Sequence, residues 1–421
     1  MTKFVHTADI HLDSPLLGLV RYEGAPVEYL RSTTRRALSN LVELCLTEKV
    51  DFLLISGDLY DGNWRDYNTG LFLSAQFARL REANIPVFII RGNHDAQSII
   101  THNLHFPDNV TELSTEGPET HFLNELGVAI HGQGFGTRAV TDNISLAYPA
   151  PIPGLLNIGL LHTSAEGRAG HEPYAPCRVD QLTEKGYDYW ALGHVHKREV
   201  LAENPWVVFP GNTQGRHINE EGRKGCTVVT ADPGKINTVA ERELDVLRWQ
   251  RITLDACDAA TTNDLLDQAW QATQMAQDAN PNKFLALRFV ITGATAIDRR
   301  LRTDHDYWVN NLRAVATDVS GGNVWVERVL VQTRPRVRLK EITEHHHPIA
   351  FLLDFIEQIP DNKQYVLQLL EELDDLQEVL AKLPNQPNLQ EPEVYQALLA
   401  DAAGFLTTRL YEAGGDTTDE V

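Results

Sequence analysis

Histidine and carboxylate side chains stand in four short groups along this chain: Asp9-Ile10-His11, Gly57-Asp58-Leu59-Tyr60-Asp61, Gly92-Asn93-His94-Asp95 and Gly193-His194-Val195-His196. His162 closes an apolar run between the third group and the fourth. Imidazole, carboxylate and amide oxygen without thiolate suit Mn, Fe or Zn in a mixed nitrogen and oxygen shell, and fit calcium or a purely structural zinc poorly. Cys45, Cys177, Cys226 and Cys257 lie far apart with no CxxC pair, so no zinc ribbon or disulfide framework is suggested. Two residues apart on an extended strand end, Asp9 and His11 are expected to point the same way and share one ion. His194 and His196 have the same spacing and serve one ion each. Seven candidate ligands exceed what one ion needs. Two divalent ions bridged by one carboxylate is the natural count, and Asp58, alone after its glycine, is the best bridge. This reading gives Asp9, His11, Asp58 and His196 to one ion, and Asp58, Asn93, His162 and His194 to the other.

Two such ions, about 3.5 to 4 Å apart, acidify a shared water and clamp the attacking and leaving oxygens of an in-line displacement. Their charge exceeds that of the two aspartates, and the small positive centre draws anions. Hydrolysis of a phosphoester is the step this suits. His94 stands beside Asn93 but beyond what the ions need, so it is placed to protonate the leaving oxygen or stabilise the transition state, with Asp61 orienting its ring. Arg216 follows the glycine-rich segment Pro210 to Gly215 and is a candidate for substrate binding at the site edge. Chance accounts for any single DxH, but not for this ordered series. The other histidines read differently: His102, His105, His121, His131, His171 and His217 as surface or packing residues, and His345 to His347 as an exposed entry to a helix.

Positioning these groups needs strands that end together. Lys3 to Ala8, Asp51 to Ser56 and Ile85 to Ile90 are short apolar or β-branched runs, and the segments between them, Ser32 to Lys49 and Asn68 to Ala83, carry helical spacing. A β-α-β-α-β order predicts adjacent parallel strands with right-handed crossovers. Each histidine and aspartate group falls just past a strand's C-terminal end, where ligand sites of open α/β sheets collect. From Glu119 the strands shorten: His121 to Leu123, Val128 to His131, Ile158 to His162, Tyr187 to Leu192, Trp206 to Phe209 and Gly225 to Thr230 predict a second sheet facing the first. Residues 251 to 340 read as a small β-α-β-α-β unit, with strands Arg248 to Leu254, Phe284 to Ile291 and Asn323 to Gln332 and helices Asn263 to Asp278 and Asp298 to Thr317. The expected domains are 1–240, 241–340 and an acidic helical region, 341–421.

At 421 residues, with 43% hydrophobic and 23% charged side chains, the chain is an ordinary globular protein of two or three domains. No run approaches the 18 or so continuous apolar residues of a membrane span, and the N-terminus meets charge too early for a signal peptide, so a cytoplasmic protein is expected. The net charge of −21 argues against coating nucleic acid by bulk electrostatics. Its distribution is uneven. Residues 341 to 421 hold 3 basic against 17 acidic residues, two thirds of the excess, whereas residues 251 to 340 hold 12 basic against 10 acidic. In that middle region Arg299, Arg300, Arg302, Arg313, Arg334, Arg336 and Arg338 are interleaved with Asp298, Asp304 and Asp306, a pattern that fits phosphate contact and a solvated mixed-charge helix equally well.

The series DxH, GDxxD, GNHD, strand-end His and GHxH resembles the calcineurin-like metallophosphoesterase superfamily, and FVHTADIHLD resembles the start of its DNA-repair exonuclease branch. Within that branch, Gly57 to Gly70 (GDLYDGNWRDYNTG) and Phe209 to Gly225 (FPGNTQGRHINEEGRKG) are similar to the SbcD nuclease subunits and, more closely, to YhaO-type proteins. The resemblance implies a four-layered α/β sandwich core with a small α+β capping domain that helps to position DNA and a C-terminal helical segment. It also implies a di-manganese site with the ligands given above. Its further implication is a partner, an SMC-like ABC ATPase with long coiled coils docked through C-terminal helices, here Ile349 to Leu383. A homodimer is usual for such a family. One departure is Asp61, where some relatives carry His. The reading is thus a manganese-dependent DNA nuclease, with Fe or Zn as alternative metals. Its rivals are a phosphodiesterase or phosphatase for small nucleotides and a non-catalytic metal-binding subunit that regulates the ATPase.

Overall fold

In the computed structural model, residues 1–14, 26–61, 67–97, 106–165, 174–232 and 234–336 are described. Strands β1 (Thr2–Thr7), β2 (Phe52–Ser56) and β3 (Val87–Ile90) lie side by side and parallel, Phe4 opposite Phe52 and Leu53 opposite Val87. The intervening helices are α1 (Val27–Glu48) and α2 (Tyr67–Glu82). This is the expected crossover pattern, and the period of two in the strands explains its packing. Phe52 and Leu54 of β2 face one cluster with Phe4, Phe88, Ile158 and Tyr189, whereas Leu53 and Ile55 face another with Leu38, Leu41, Phe77 and Leu80 from the helices. Phe4 and Phe52 stack with ring centroids 4.9 Å apart. Burying each such side chain contributes about 1.5 to 3 kcal/mol.

The first sheet has the order β12-β11-β1-β2-β3-β4, adding β4 (Val110–Glu112), β11 (Gly225–Asp232) and β12 (Lys235–Glu243). The second has the order β5-β6-β7-β8-β10-β9, from β5 (Glu119–Leu123), β6 (Val128–Gly132), β7 (Leu156–His162), β8 (Tyr189–Gly193), β9 (Glu199–Glu203) and β10 (Trp206–Phe209). Its outer face carries Leu161, Trp190 and Leu192 against Leu182 of the short helix α3 (Val179–Glu184). Helices, sheet, sheet and helix give the four layers. One strand is placed differently from the sequence reading: Gly225 to Thr230 joins the first sheet, antiparallel to β1, rather than the second. Its own side chains explain this. Cys226 and Val228 enter the helix-side cluster while Val229 and Ala231 enter the cluster between the sheets, so β11 is buried on both faces and closes the edge of β1.

The described residues fall into two compact units, one of Met1–Arg251 with Gln277–Leu287 and Gly321–Glu327, the other of Ile252–Ala276, Arg288–Ser320 and the described residues from Arg328. Strands β13 (Leu247–Asp255), β14 (Phe284–Thr295) and β15 (Val324–Pro335) form a three-stranded sheet in that order. Helix α4 (Thr262–Asp278) agrees with its expected span. The helix expected from Asp298 to Thr317 is instead two, α5 (Asp298–Thr303) and α6 (His305–Ser320), with Asp304 off helical geometry between them. Buried Asp298 accepts hydrogen bonds from Arg302 and Thr333, which anchors α5, while Trp308, Leu312 and Ala316 of α6 are buried beyond the break. Arg302 therefore has a structural partner. The acidic region 341–421, with Ile349 to Leu383, and the residues Arg338, His102, His105, His171 and His345 to His347 lie outside the described residues. No helix among the described residues is long and apolar enough to cross a membrane.

His6, missed as a core residue, sits in β1 between the sheets. Leu192 carbonyl can only accept, so His6 Nε2 donates to it (3.1 Å) and Nδ1 accepts from the Tyr189 hydroxyl (3.0 Å). Burial pushes its pKa down to about 3, against the opposing Leu192 carbonyl. The unfolded chain then binds a proton below the ordinary histidine value that the folded chain refuses, so stability is lost as pH falls through that window. From pH 6.5 to 4 this group is expected to remove on the order of 3 kcal/mol. Urea unfolding in chelator across that range checks it. His6→Gln should flatten the profile relative to the unmodified chain, and parallel profiles would sink the assignment.

Candidate metal centre

Loops after β1, β2, β3, β7 and β8 meet at one edge of the two sheets. The chain after β1 follows the chain after β2 through Asp9 N–H to Gly57 carbonyl (3.0 Å), His11 N–H to Asp58 carbonyl (3.0 Å) and Leu12 N–H to Leu59 carbonyl (2.9 Å). The expectation of an extended DxH does not hold: β1 ends at Thr7, and Asp9, His11 and Asp58 have φ of 51°, 44° and 53°, with His194 at 102°. Left-handed backbone alternating with ordinary backbone turns both side chains of Asp9-Ile10-His11 inward. Each such residue carries strain of about 1 to 3 kcal/mol, a cost characteristic of functional sites.

Asp95 supports the turn after β3. Its carboxylate accepts from the backbone N–H of Leu59 (3.2 Å), Tyr60 (2.9 Å) and Gly92 (3.0 Å), tying the second motif to the third. Burial and the charge of Asp58 push its pKa up to about 7 against those three donors. Close approach also requires glycine. A Cβ on Gly92 would stand 2.2 Å from Asp58 Oδ1, and one on Gly57, itself at φ 93°, 2.4 Å from His162 Nδ1.

The ligand atoms form two neighbouring groups, Asp9 with His11 and His196, and Asp58 with His162 and His194, each within 4.8 Å. Asn93 Oδ1 joins the second, 3.0 Å from His162 Nε2. Asp58 stands between them, its Oδ2 3.8 Å from His11 Nε2 and 3.5 Å from His162 Nε2. All seven expected ligands are therefore brought together, and a third group of His11, Asp58 and His94 adds the histidine expected to act as acid.

The hydrogen bonds on the far sides of these rings test whether a cation fits. His162 Nδ1 lies 2.9 Å from the Ser56 carbonyl and His196 Nδ1 2.7 Å from Glu220 Oε1, and both partners only accept. Each Nδ1 thus carries a proton, and each Nε2 is the ring atom left to face a cation. There His196 Nε2 meets His11 Nε2 at 3.1 Å, and His162 Nε2 lies 3.0 Å from Asn93 Oδ1 and 3.5 Å from Asp58 Oδ2. Among the described residues His11 Nδ1 has no hydrogen-bond partner, lying 3.6 Å from Asp61 Oδ1. Facing lone pairs of nitrogen and oxygen are the donor set of a divalent cation. The electrostatics agree. Burial, reinforced by the Arg216 charge, lowers His11 to about 3, leaving it neutral as a ligand must be. Burial opposes charge on His162, yet Asp58 and Asp9 raise it to about 9, so the oxygens around it demand positive charge. Asp58 is held below the usual range, burial being outweighed by His162 and His11, while burial raises Asp9 against His196 and His162.

His94 is the more accessible histidine here, its side chain 34% exposed. Its Nδ1 lies 3.0 Å from Asp61 Oδ1, as the orienting role of Asp61 requires. Ser14 donates to the other oxygen of Asp61 at 2.6 Å. Burial opposes the charged form of His94, but the Asp61 hydrogen bond and the Asp58 charge outweigh it and raise the pKa. Arg216 also reaches the site, Nη1 3.8 Å from Asp61 Oδ2 and Nη2 3.1 Å from Glu220 Oε1. His131, by contrast, is a packing residue, bonded to Thr120 and Asn157 and stacked on Tyr187. Sequence reasoning missed Asp95 and Glu220. The first lies inside the Gly-Asn-His-Asp motif, and the only sign of the second is an acid four residues after Arg216.

The candidate ligand groups thus lie together at the strand ends of a double-sheet sandwich. Residues 2–198 match the calcineurin-like phosphoesterase family, so the chain carries a domain of that family. Residues 249–334 match the family described as the middle domain of metallophosphoesterase YhaO. The chain is similar to the uncharacterized metallophosphoesterase YhaO of Bacillus subtilis, 39% identical over 260 residues, 61% of this chain and 64% of that one. It thus spans just under two thirds of that relative's length. It is also similar to the DNA double-strand break repair protein Mre11 of Sulfurisphaera tokodaii, 24% identical over 310 residues, covering 69% of this chain and 74% of the relative. Among solved structures, a dimetal phosphatase from Danio rerio is 12% identical with a TM-score of 0.32, covering 54% of this chain and 92% of that one.

Proposed function

We propose that this protein hydrolyses DNA phosphodiester bonds with two divalent ions, manganese first and iron or zinc as alternatives. The observation that carries the reading is Asp58 standing between two ligand groups, with the His94–Asp61 pair beside them. Asp9, His11, Asp58 and His196 would hold one ion, and Asp58, Asn93, His162 and His194 the other. Bound divalent ions supply positive charge for phosphoryl oxygens and acidify water, which is the chemistry such hydrolysis needs. The chain's own groups do the rest. Asp61 fixes the His94 ring so that its outer nitrogen faces the cleft and delivers a proton to the leaving oxygen. Arg216 offers its guanidinium to a neighbouring phosphate oxygen.

DNA as the substrate is supported by the likeness to the DNA double-strand break repair protein Mre11. On the same reading, residues 241–340 help to position DNA, and the acidic region 341–421 docks an SMC-like ATPase. We expect end-labelled duplex or single-stranded DNA to be cut in manganese and left intact in chelator. Hydrolysis of bis-p-nitrophenyl phosphate with no cleavage of either DNA would refute a DNA substrate for the isolated chain and favour small nucleotides.

A further inference from the structure

Glu220 belongs to none of the ligand groups, yet one carboxylate there serves two parts of the site. Its side chain is 6% exposed. Oε1 accepts from His196 Nδ1 at 2.7 Å and from Arg216 Nη2 at 3.1 Å, while Oε2 accepts from the Arg216 backbone N–H at 2.7 Å and from Asn212 Nδ2 at 2.9 Å. Four donors surround the two oxygens, so the acid is satisfied only as a carboxylate. Arg216 Nη2 also lies 3.2 Å from His196 Nδ1. Both atoms carry protons once His196 donates to Glu220, so that contact is not a bond, and Glu220 holds the two donors together.

We propose that Glu220 is a positioning residue that fixes His196 with its Nε2 lone pair toward the metal cleft and, through its other contacts, sets Arg216 at the cleft edge. The inference rests on the two-ion reading. A ring nitrogen's availability for metal is set by the hydrogen bond the other nitrogen makes, and for His162 that partner is the backbone carbonyl of Ser56. For His196 it is a side chain, which makes the arrangement open to mutation. Without the carboxylate, the His196 ring is free to rotate or to carry its proton on Nε2, where it would repel a cation. Arg216 would lose the Glu220 bonds to its guanidinium and to its backbone N–H, keeping the longer contact to Asp61.

The test uses the full chain and manganese alone as the probe, with free Mn2+ followed by electron paramagnetic resonance during titration. The unmodified protein is expected to bind two equivalents; failure to do so would refute the two-ion reading itself, whatever Glu220 does. Glu220→Ala should weaken one equivalent by about 10- to 100-fold and leave the other near its original affinity. Glu220→Gln, which keeps the shape and one acceptor oxygen, should fold as the unmodified chain does and weaken the same equivalent less. Arg216→Ala should bind manganese no more weakly than the unmodified chain while raising KM for bis-p-nitrophenyl phosphate, whereas Glu220→Ala should change both metal affinity and KM. Two equivalents at unaltered affinity in folded Glu220→Ala would overturn the proposal. Should Glu220→Ala fail to fold, unaltered affinity in Glu220→Gln would overturn it equally.

Discussion

Asp58→Asn is expected to abolish phosphodiester hydrolysis, lowering kcat/KM by roughly 10³-fold or more, and to reduce bound manganese from two equivalents to at most one. The size follows from removing a ligand that, on the proposed two-ion reading, both ions would share, each worth several kcal/mol to a transition state of growing negative charge. Asparagine is the informative replacement. Asp58 has φ 53°, a conformation asparagine tolerates better than most residues, and its Oδ1 accepts from His94 N–H at 2.9 Å, a bond an amide oxygen can keep. Charge and the second carboxylate oxygen are lost while the turn survives. Circular dichroism should be unchanged, and metal content by mass spectrometry should fall together with rate. A variant that keeps both metals and stays within about tenfold of the original rate would remove Asp58 from the bridging position.

His94→Gln should separate proton transfer from metal binding. With the ring gone, kcat on DNA is expected to drop by about 10²- to 10⁴-fold, the usual worth of a positioned acid, with manganese binding and KM little changed. The loss should shrink on a substrate with a p-nitrophenolate leaving group, which needs no proton to depart. The closeness of His94 to His11 and Asp58 makes the opposite outcome meaningful. Weakened manganese binding in the variant, with equal losses on good and poor leaving groups, would recast His94 as a ligand.

The parallel β1-β2-β3 core was legible because each strand is a short apolar run that stops at the start of a chemical motif, and its helices carry clear 3.6-residue spacing. The two ligand groups were legible for a related reason: every histidine and aspartate lies within a few residues of a strand end, so local sequence already places it. What depends on contacts far apart in sequence was not. β11 reads like any second-sheet strand until its pairing with β1, more than 200 residues earlier, is seen. Glu220 looks like one acid in the run Asn219-Glu220-Glu221, and only the fold sets it under His196. The left-handed backbone of Asp9 and His11 escapes notice because residue type implies an extended strand, and the turn is imposed by hydrogen bonds to the chain after β2. The break at Asp304 is hidden by a charged stretch that reads as one continuous helix.

Strand β11 also determines how far this unit extends as a piece of inheritable machinery. The match to the calcineurin-like phosphoesterase family model ends at residue 198, before Arg216, Glu220, β11 and β12. A polypeptide ending there would contain all seven ligands, yet β1 would present an open row of backbone donors and acceptors, the kind of edge that recruits other chains. Lys224, whose ammonium holds the His196 carbonyl at 3.0 Å, would be missing as well. Gene fusions, insertions and truncations that respect the first 198 residues would still break the sheet. The part that can be moved intact runs at least to Glu243, where β12 ends.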